Sequence, residues 1–271
     1  MATGDIWQPT RIERVNRVLS TSTKPLLVET DAGTALVKYM GNPQGNDALV
    51  SELVAANLAE RVGLLTPEFA AVYIPKIEVL DPFVDVHPGA AFFSRWEQAA
   101  SLSPNSKLLA QLRTPKDVSR LVVFDTWIRN KDRFTGDPYA GNFNYDNILL
   151  KPDKRKTQLL VIDHSHAFAE TTLEHEITEN WSTEQNVYGL FNEFASMLTR
   201  HDVQSVLDSL CAIPIDEVRG ICAAVPPEWG FGGALASRLA DLLIERAHLM
   251  NTWFADAVFD QLEFDFNGKE A

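Results

Sequence analysis

The pattern of apolar residues changes near residue 97, which limits the chain to folds with a strand-rich first part and a helical second part. In the first part, β-rich runs cover residues 24–30, 34–40, 69–74 and 90–96, and a four-residue apolar repeat predicts a helix over residues 47–65. In the second part, helices are predicted over residues 115–129 and through most of 187–260, with a strand hairpin over 147–163. The sequence therefore predicts an α+β fold with two parts, residues 1–97 and 98–271, and a ligand-binding cleft between them.

Composition narrows the classes of partner. The 271 residues include 24 Lys and Arg against 37 Asp and Glu, which gives a formal net charge of −13. Because phosphate neutralisation supplies most non-specific affinity for nucleic acid, and anionic lipids repel negative charge, neither nucleic acid nor a membrane is an expected partner. With only two cysteines, no basic and apolar leader and no apolar run of about 18 residues, we expect a cytoplasmic protein without disulfide bonds.

Three charged side chains stand where burial would be costly without a partner. Lys38 alternates onto the apolar face of a predicted strand, although it could also be an edge-strand lysine. Glu52 lies near the start of the next helix, where it could pair with Lys38 or simply favour the helix dipole; Glu60 is an alternative partner. Asp163 ends an apolar strand, a costly place for a carboxylate that binds neither a cation nor a donor.

Two further polar residues complete a pattern in chain order. Asp132 opens a polar loop, where it could orient a hydroxyl or cap a turn. Asn147 begins the predicted hairpin and offers a neutral oxygen to Mg²⁺, for which Asp163 is a second oxygen ligand. Together with Lys38 and Glu52, these residues supply what phosphoryl transfer requires: a cation for phosphates, an acid for the attacking hydroxyl and two magnesium ligands.

Several segments resemble the small stand-alone members of the HipA-like kinase family. They are residues 36–38, 41–45, 63–64 and 67–69 with Glu52, the sequence FDTWIRNKDR at 124–133, IDHSHAF at 162–168 and VPPEWG at 225–230. The resemblance extends over residues 18–246 and implies a two-lobed protein-kinase-like fold, with a β-rich N-lobe and a mainly helical C-lobe. It also implies ATP- and Mg²⁺-dependent transfer to a serine or threonine hydroxyl, with an antitoxin-like protein as a regulatory partner.

The resemblance also implies roles for individual residues. It places Lys38 on the ATP phosphates, with Glu52 as its partner, and makes Asp132 the catalytic carboxylate. It makes Asn147 and Asp163 the magnesium ligands. The link between the lobes, where backbone groups would meet adenine, is formed by Phe93, Ser94, Arg95 and Trp96.

Two departures from the family pattern concern the catalytic loop. Asn147 follows the catalytic carboxylate by fifteen residues rather than by a few, so Asn142 and Asn144 are rival metal ligands. We prefer Asn147 because the apolar run after it gives the expected strand. Phe134 stands where the family often has a histidine, so another residue must orient the catalytic carboxylate, and Arg133 is the candidate.

A third departure concerns the loop expected to hold phosphate. This loop, formed by Ser20, Thr21, Ser22 and Thr23, contains no glycine, so its backbone approaches phosphate less closely. It is either a plain polar turn or, as the family's self-regulation implies, a segment phosphorylated in cis. The same departures leave two other functions open: a nucleotide-binding pseudokinase or interaction module, and a nucleotidyl or small-molecule transferase on the same scaffold.

Overall fold

The computed structural model of the chain describes residues 7–104, 106–134 and 143–267. The first part of the chain contains a five-stranded antiparallel sheet with the strand order β1-β2-β3-β5-β4. Its strands are β1 (Ile12–Val18), β2 (Leu26–Thr30), β3 (Gly33–Lys38), β4 (Phe69–Ile74) and β5 (Gly89–Arg95). The four predicted strands are confirmed, whereas β1 is an addition: it is an edge strand whose mostly polar residues give no apolar alternation.

Helix α1 (Asn46–Arg61) lies on one face of this sheet and has most of its residues buried. The predicted repeat is correct, since Val50, Val54 and Leu58 are all fully buried. The helix ends four residues earlier than predicted because Gly63 adopts φ +79°, a left-handed conformation that stops a helix and suits glycine. The opposite face of the sheet forms a separate small core that includes Trp7 and Phe93.

The second part of the chain is mainly helical around a small antiparallel sheet. The strands are β6 (Ala100–Ser101), β7 (Ile148–Asp153) and β8 (Lys156–Val161). The helices are α2 (Asp117–Trp127), α3 (Leu173–Thr178), α4 (Arg200–Cys211), α5 (Ile215–Ala223) and α6 (Gly233–Asn267). Cys211 and Cys222 are both free thiols. No helix in the described ranges is long and apolar enough to cross a membrane. The predicted α+β class, with a strand-rich N-lobe and a helical C-lobe, is confirmed.

Helix α1 connects the two parts through a shared core. Buried α1 residues such as Leu53 belong to the same apolar cluster as α2, the β7–β8 hairpin and the C-terminal helices. The indole N–H of Trp229 also donates to the carbonyl of Ala90 on β5, at 2.9 Å. The placement of α1 is therefore fixed from both sides, and the division of the chain at residue 97 stays a prediction.

Candidate active site

A cavity of about 400 Å³ lies between the five-stranded sheet and the helical part of the chain. Its lining includes Leu19, Thr21, Leu36, Lys38 and Glu52 from the first part, Ser94, Arg95, Trp96 and Glu97 from the link, and Asp146, Asn147, Leu149, Asp163 and His164 from the second. The lining combines apolar walls with a few charged side chains, as is typical of small-molecule sites. Four of the five residues of the sequence pattern meet in this cavity.

Lys38 is the centre of the charged cluster. The strand alternation points its side chain away from the small core and toward α1, leaving the residue 9% exposed. Its Nζ donates to Oε1 of Glu52 and, at 2.8 Å, to Oδ1 of Asp163. Glu60, the alternative partner, is exposed on the helix surface. Glu52, in the second turn of α1, is therefore the carboxylate on that helix that contacts the lysine.

Mutual contact in the cluster favours the charged forms of Lys38 and Asp163. Burial lowers the pKa of Lys38, but the carboxylates of Asp163 and Glu52 outweigh burial and hold it above its ordinary value. Burial raises the pKa of Asp163, but the Lys38 ammonium outweighs this and holds it well below its usual range. Burial raises the pKa of Glu52 to about 7, against the opposing effect of Lys38. The result is a fixed ammonium beside an ionised Asp163.

The hairpin places Asn147 beside Asp163. Ile148 of β7 pairs with Val161 of β8, and the N–H of Ile162 donates to the carbonyl of Asn147 at 3.2 Å. Asp163 follows with φ 56°, a left-handed conformation uncommon for non-glycine residues, and its Oδ1 accepts a bond from Ser165 Oγ at 2.7 Å. The amide oxygen of Asn147 and the Asp163 carboxylate together form a donor set that suits Mg²⁺.

Asp132 lies one hydrogen bond behind the cavity. Its Oδ2 accepts from the side-chain Nδ2 of Asn147 at 2.9 Å and from that of Asn144 at 3.1 Å. Of these three described residues, Asn147 lines the cavity and the other two do not. Asn142, the third rival for the metal, lies outside the described residues. The structure therefore brings Asn147 to both the cavity and Asp132, and places Asn144 on Asp132.

The expectation that Arg133 orients Asp132 is wrong. The guanidinium of Arg133 is fully buried and donates to Oδ1 of Asp125 at 2.7 Å and to the carbonyl of Ile162 at 2.9 Å. It turns away from Asp132 because the fully buried Asp125 carboxylate requires a cationic partner. Arg133 instead ties the catalytic-loop segment to the residue before Asp163, an arrangement that the sequence did not reveal.

The predicted nucleotide contacts are only partly at the cavity. One residue of the predicted phosphate loop, Thr21, lines the cavity. The others do not: Ser20 and Ser22 are exposed, and Thr23 is buried. In the link, Ser94, Arg95 and Trp96 line it. Phe93 does not, because the alternation of β5 sends its side chain to the small core, and its neighbour Phe92 lines the cavity instead.

Backbone groups of the link are also largely occupied. The N–H of Arg95 donates to Glu68 at 2.8 Å, and that of Trp96 donates to Thr34 at 2.9 Å. Two acidic lining residues, Glu97 and Asp146, were not predicted. Asp146 directly precedes Asn147, so that neighbouring position was the signal available for it.

Two comparisons with known proteins gave matches. The model of a family described as HipA-like kinase matches residues 12–258. The crystal structure of the Helicobacter pylori proinflammatory kinase CtkA matches 93% of this chain and 96% of that chain, with a TM-score of 0.58 and 11% sequence identity. Among curated proteins there is no significant match. At this identity the structural likeness concerns the fold, and it confirms a kinase-like two-lobed architecture.

Proposed function

Since the chain belongs to the HipA-like kinase family, we propose that it transfers the γ-phosphate of ATP, as the magnesium complex, to a serine or threonine hydroxyl in the cytoplasm. The observation that carries this proposal is the contact of Lys38 with both Glu52 and Asp163 in a cavity large enough for a nucleotide. A fixed cation next to an ionised carboxylate is what a bound triphosphate and its metal ion require.

Asn147 and Asp163 would hold the magnesium ion. An ionised carboxylate only accepts hydrogen bonds, so the amide NH₂ of Asn147 must be the group that faces Asp132. The amide oxygen is then left for a cation, and Asp163 offers Oδ2 in addition to the Oδ1 that Lys38 contacts. When bound, Mg²⁺ supplies neutralisation of charge across the phosphates.

The chain's own residues would then position the reactants. Lys38, held by Glu52, fixes the phosphate groups, and Asp132 orients the acceptor hydroxyl and accepts its proton. Thr21 lines the same cavity as Lys38, which supports the loop at 20–23 as an acceptor in cis. An antitoxin-like regulatory partner is a further expectation from the family. Positioning and charge supply most of the rate enhancement in this type of reaction.

A nucleotide-binding pseudokinase is the second candidate, and one observation favours it. The loop at 20–23 has no glycine, and three of its four residues stand away from the cavity lining, so its hold on phosphate would be weak. The intact contacts of Lys38 argue for an active enzyme, and an assay of phosphate transfer separates the two.

The test is incubation of the purified chain with γ-³²P-ATP and Mg²⁺, followed by mass spectrometry of residues 20–23. We expect label on this loop in the wild type and in Asp260→Ala, a control with an exposed carboxylate on α6, and in neither Asp132→Ala nor Asp163→Ala. Label from α-³²P-ATP would instead indicate nucleotidyl transfer. Binding of ATP with no label on the chain, on added proteins or on released phosphate would indicate a pseudokinase.

A further inference from the structure

The two described ends of the segment between Asp132 and Asn147 meet in an aromatic cluster. Phe134 and Phe143, at these two ends, form an isolated antiparallel bridge, and their rings stack with centroids 4.6 Å apart and planes at 7°. The ring of Tyr145 stacks next to Phe143. Phe191 packs against all three rings at centroid distances of 5.1–6.0 Å. We call these four residues, Phe134, Phe143, Tyr145 and Phe191, the aromatic clasp.

Asn144 lies between two members of the aromatic clasp. Its backbone N–H donates to the carbonyl of Arg133 at 3.0 Å, which joins it to the residue after Asp132. Its side-chain Nδ2 donates to Oδ2 of Asp132 at 3.1 Å. Backbone and side chain together therefore fix Asn144 relative to Asp132, while the clasp limits movement of its neighbours.

The two asparagine amides reach the same carboxylate oxygen. Asn144 and Asn147 both donate to Oδ2, and among the described residues no donor reaches Oδ1 of Asp132. A carboxylate held through one oxygen by two donors has its plane and rotamer fixed, and it presents the other oxygen to an acceptor hydroxyl. Asn147 has a second task at the cavity, whereas Asn144 has none there.

On the basis of the proposed function, we propose that Asn144 is the positioning residue of Asp132 rather than a metal ligand. In this role Asn144 orients the Asp132 carboxylate, as the histidine that the family often has at the position of Phe134 would otherwise do. The aromatic clasp holds the neighbours of Asn144 in place. The described ends of the insertion, Phe134 and residues 143–146, are then part of the catalytic apparatus. Loss of Asn144 should slow phosphate transfer while nucleotide and magnesium binding remain.

The experiment measures single-turnover transfer of the γ-phosphate of ATP to the chain or to water, together with the Mg²⁺ concentration at half-maximal rate. We expect Asn144→Ala to lower the rate about 10–100-fold, with KM for ATP and the Mg²⁺ requirement changed less than about 3-fold. Asn147→Ala should raise the Mg²⁺ requirement. Asn16→Ala, which removes an exposed side-chain donor on β1, is the matched control and should match the wild type.

A double-mutant cycle separates positioning from general damage to the fold. If Asn144 acts through Asp132, adding Asn144→Ala to Asp132→Glu, which keeps a carboxylate, should cause a smaller loss of rate than Asn144→Ala causes alone, and Asn144→Gln should recover part of the wild-type rate. A full additional loss in the double variant, a Mg²⁺ requirement raised as in Asn147→Ala, or a wild-type rate in Asn144→Ala would each overturn the inference. A wild type that transfers no phosphate at all would overturn the proposed function and the inference with it.

Discussion

Lys38 contacts two carboxylates that come from different parts of the chain. Glu52 is on α1 of the N-lobe, and Asp163 follows the C-lobe hairpin. The lysine therefore links the lobes by charge, and the proposed function places it on the phosphates. Because both carboxylates are largely buried, each depends on the ammonium as its counter-ion.

Replacement of Lys38 by Met keeps the length of the side chain and removes its charge. We expect the rate of phosphate transfer to fall about 100–1000-fold, since the cation that faces the phosphates is gone. The free energy of unfolding should also fall by about 3–5 kcal/mol, because two buried carboxylates lose their partner. Urea unfolding and the γ-³²P assay measure these effects, and Lys156→Met, in an exposed position on β8, is the control. Wild-type activity in Lys38→Met would contradict the assigned role.

The sequence predicted which residue types cluster, but not every side-chain direction. Strand alternation sufficed for Lys38, because it places Lys38 on the same face of β3 as the apolar Leu36. It was not applied to β5, where Phe92 and Phe93 are chemically identical and register alone decides which one lines the cavity. The hydrogen bond from Asn144 to Asp132 depends on the path of the inserted segment, which no local pattern encodes.

At the scale of elements, Gly189 leaves room for the buried ion pair of Asp125 and Arg133. Gly189 lies two residues before Phe191 of the aromatic clasp. Gly189 adopts φ +70°, and a Cβ placed there would overlap Oδ2 of Asp125 and lie 3.1 Å from its Cγ. Its N–H donates to Phe134 at 3.3 Å. The position therefore requires glycine both for its conformation and for its contact with the Asp125–Arg133 pair.

Gly189→Ala should lower the free energy of unfolding by about 2–4 kcal/mol, since it combines left-handed strain with a displaced buried carboxylate. The matched control is Gly220→Ala in the middle of α5, where a Cβ meets nothing within 4 Å and the residue is exposed. Helix propensity predicts that this variant gains about 0.5–1 kcal/mol. Urea unfolding of both variants measures the contrast, and equal effects would show that the contact with Asp125 is unimportant.

The segment after β8 is attached to the end of α2 by ion pairs. Arg129, 7% exposed and with φ 51°, contacts Glu176 of α3 and Glu184, each at 3.0 Å. Burial raises the pKa of Glu176, but the bond and charge from Arg129 outweigh it and hold that pKa below its ordinary value. Since the folded state favours the ionised carboxylate, this stabilisation is present above pH 4.5 and is lost as the pH falls further.

Glu176→Gln should therefore destabilise the protein at pH 7, by about 1–3 kcal/mol, and progressively less as the pH falls below 4.5. As the pH falls through the lowered pKa of the wild-type carboxyl, that group becomes protonated, so the two proteins approach each other in stability. Urea unfolding at pH 7 and at pH 3.5 measures the difference. A destabilisation that is the same at both pH values would rule out the ion pair as its cause.

The elements themselves were largely predictable, and the failures have physical reasons. Helix α1 has a clear apolar repeat, and the β7–β8 hairpin has two apolar strands with clear turn residues between the strands. Strand β1 has no such pattern, because its positions are mostly exposed and it lies at the edge of the sheet, held by pairing to β2. Tertiary pairing, rather than local preference, forms that strand.

For the whole molecule, the shared core and the charged cluster both hold the two lobes in place relative to each other. Helix α1 packs with both lobes, and Trp229 of the C-lobe bonds to β5. The cavity walls are thus held in their relative positions, and Glu52 is held on Lys38 with them. Sequence periodicity predicted two lobes and a cleft between them, whereas this cross-lobe packing depends on long-range contacts that periodicity does not contain.

The most direct test of a magnesium-nucleotide site is the thermal unfolding midpoint with and without Mg²⁺ and ATP. At about 100 times Kd, binding adds about 2.7 kcal/mol, which corresponds to a rise of about 5–10 °C for a chain of this size. We expect this rise in the wild type and in Asp260→Ala, and its loss in Asp163→Asn or when Mg²⁺ is chelated. A wild-type midpoint that ATP and Mg²⁺ do not raise, or an equal rise in Asp163→Asn, would contradict the assignment of the cavity.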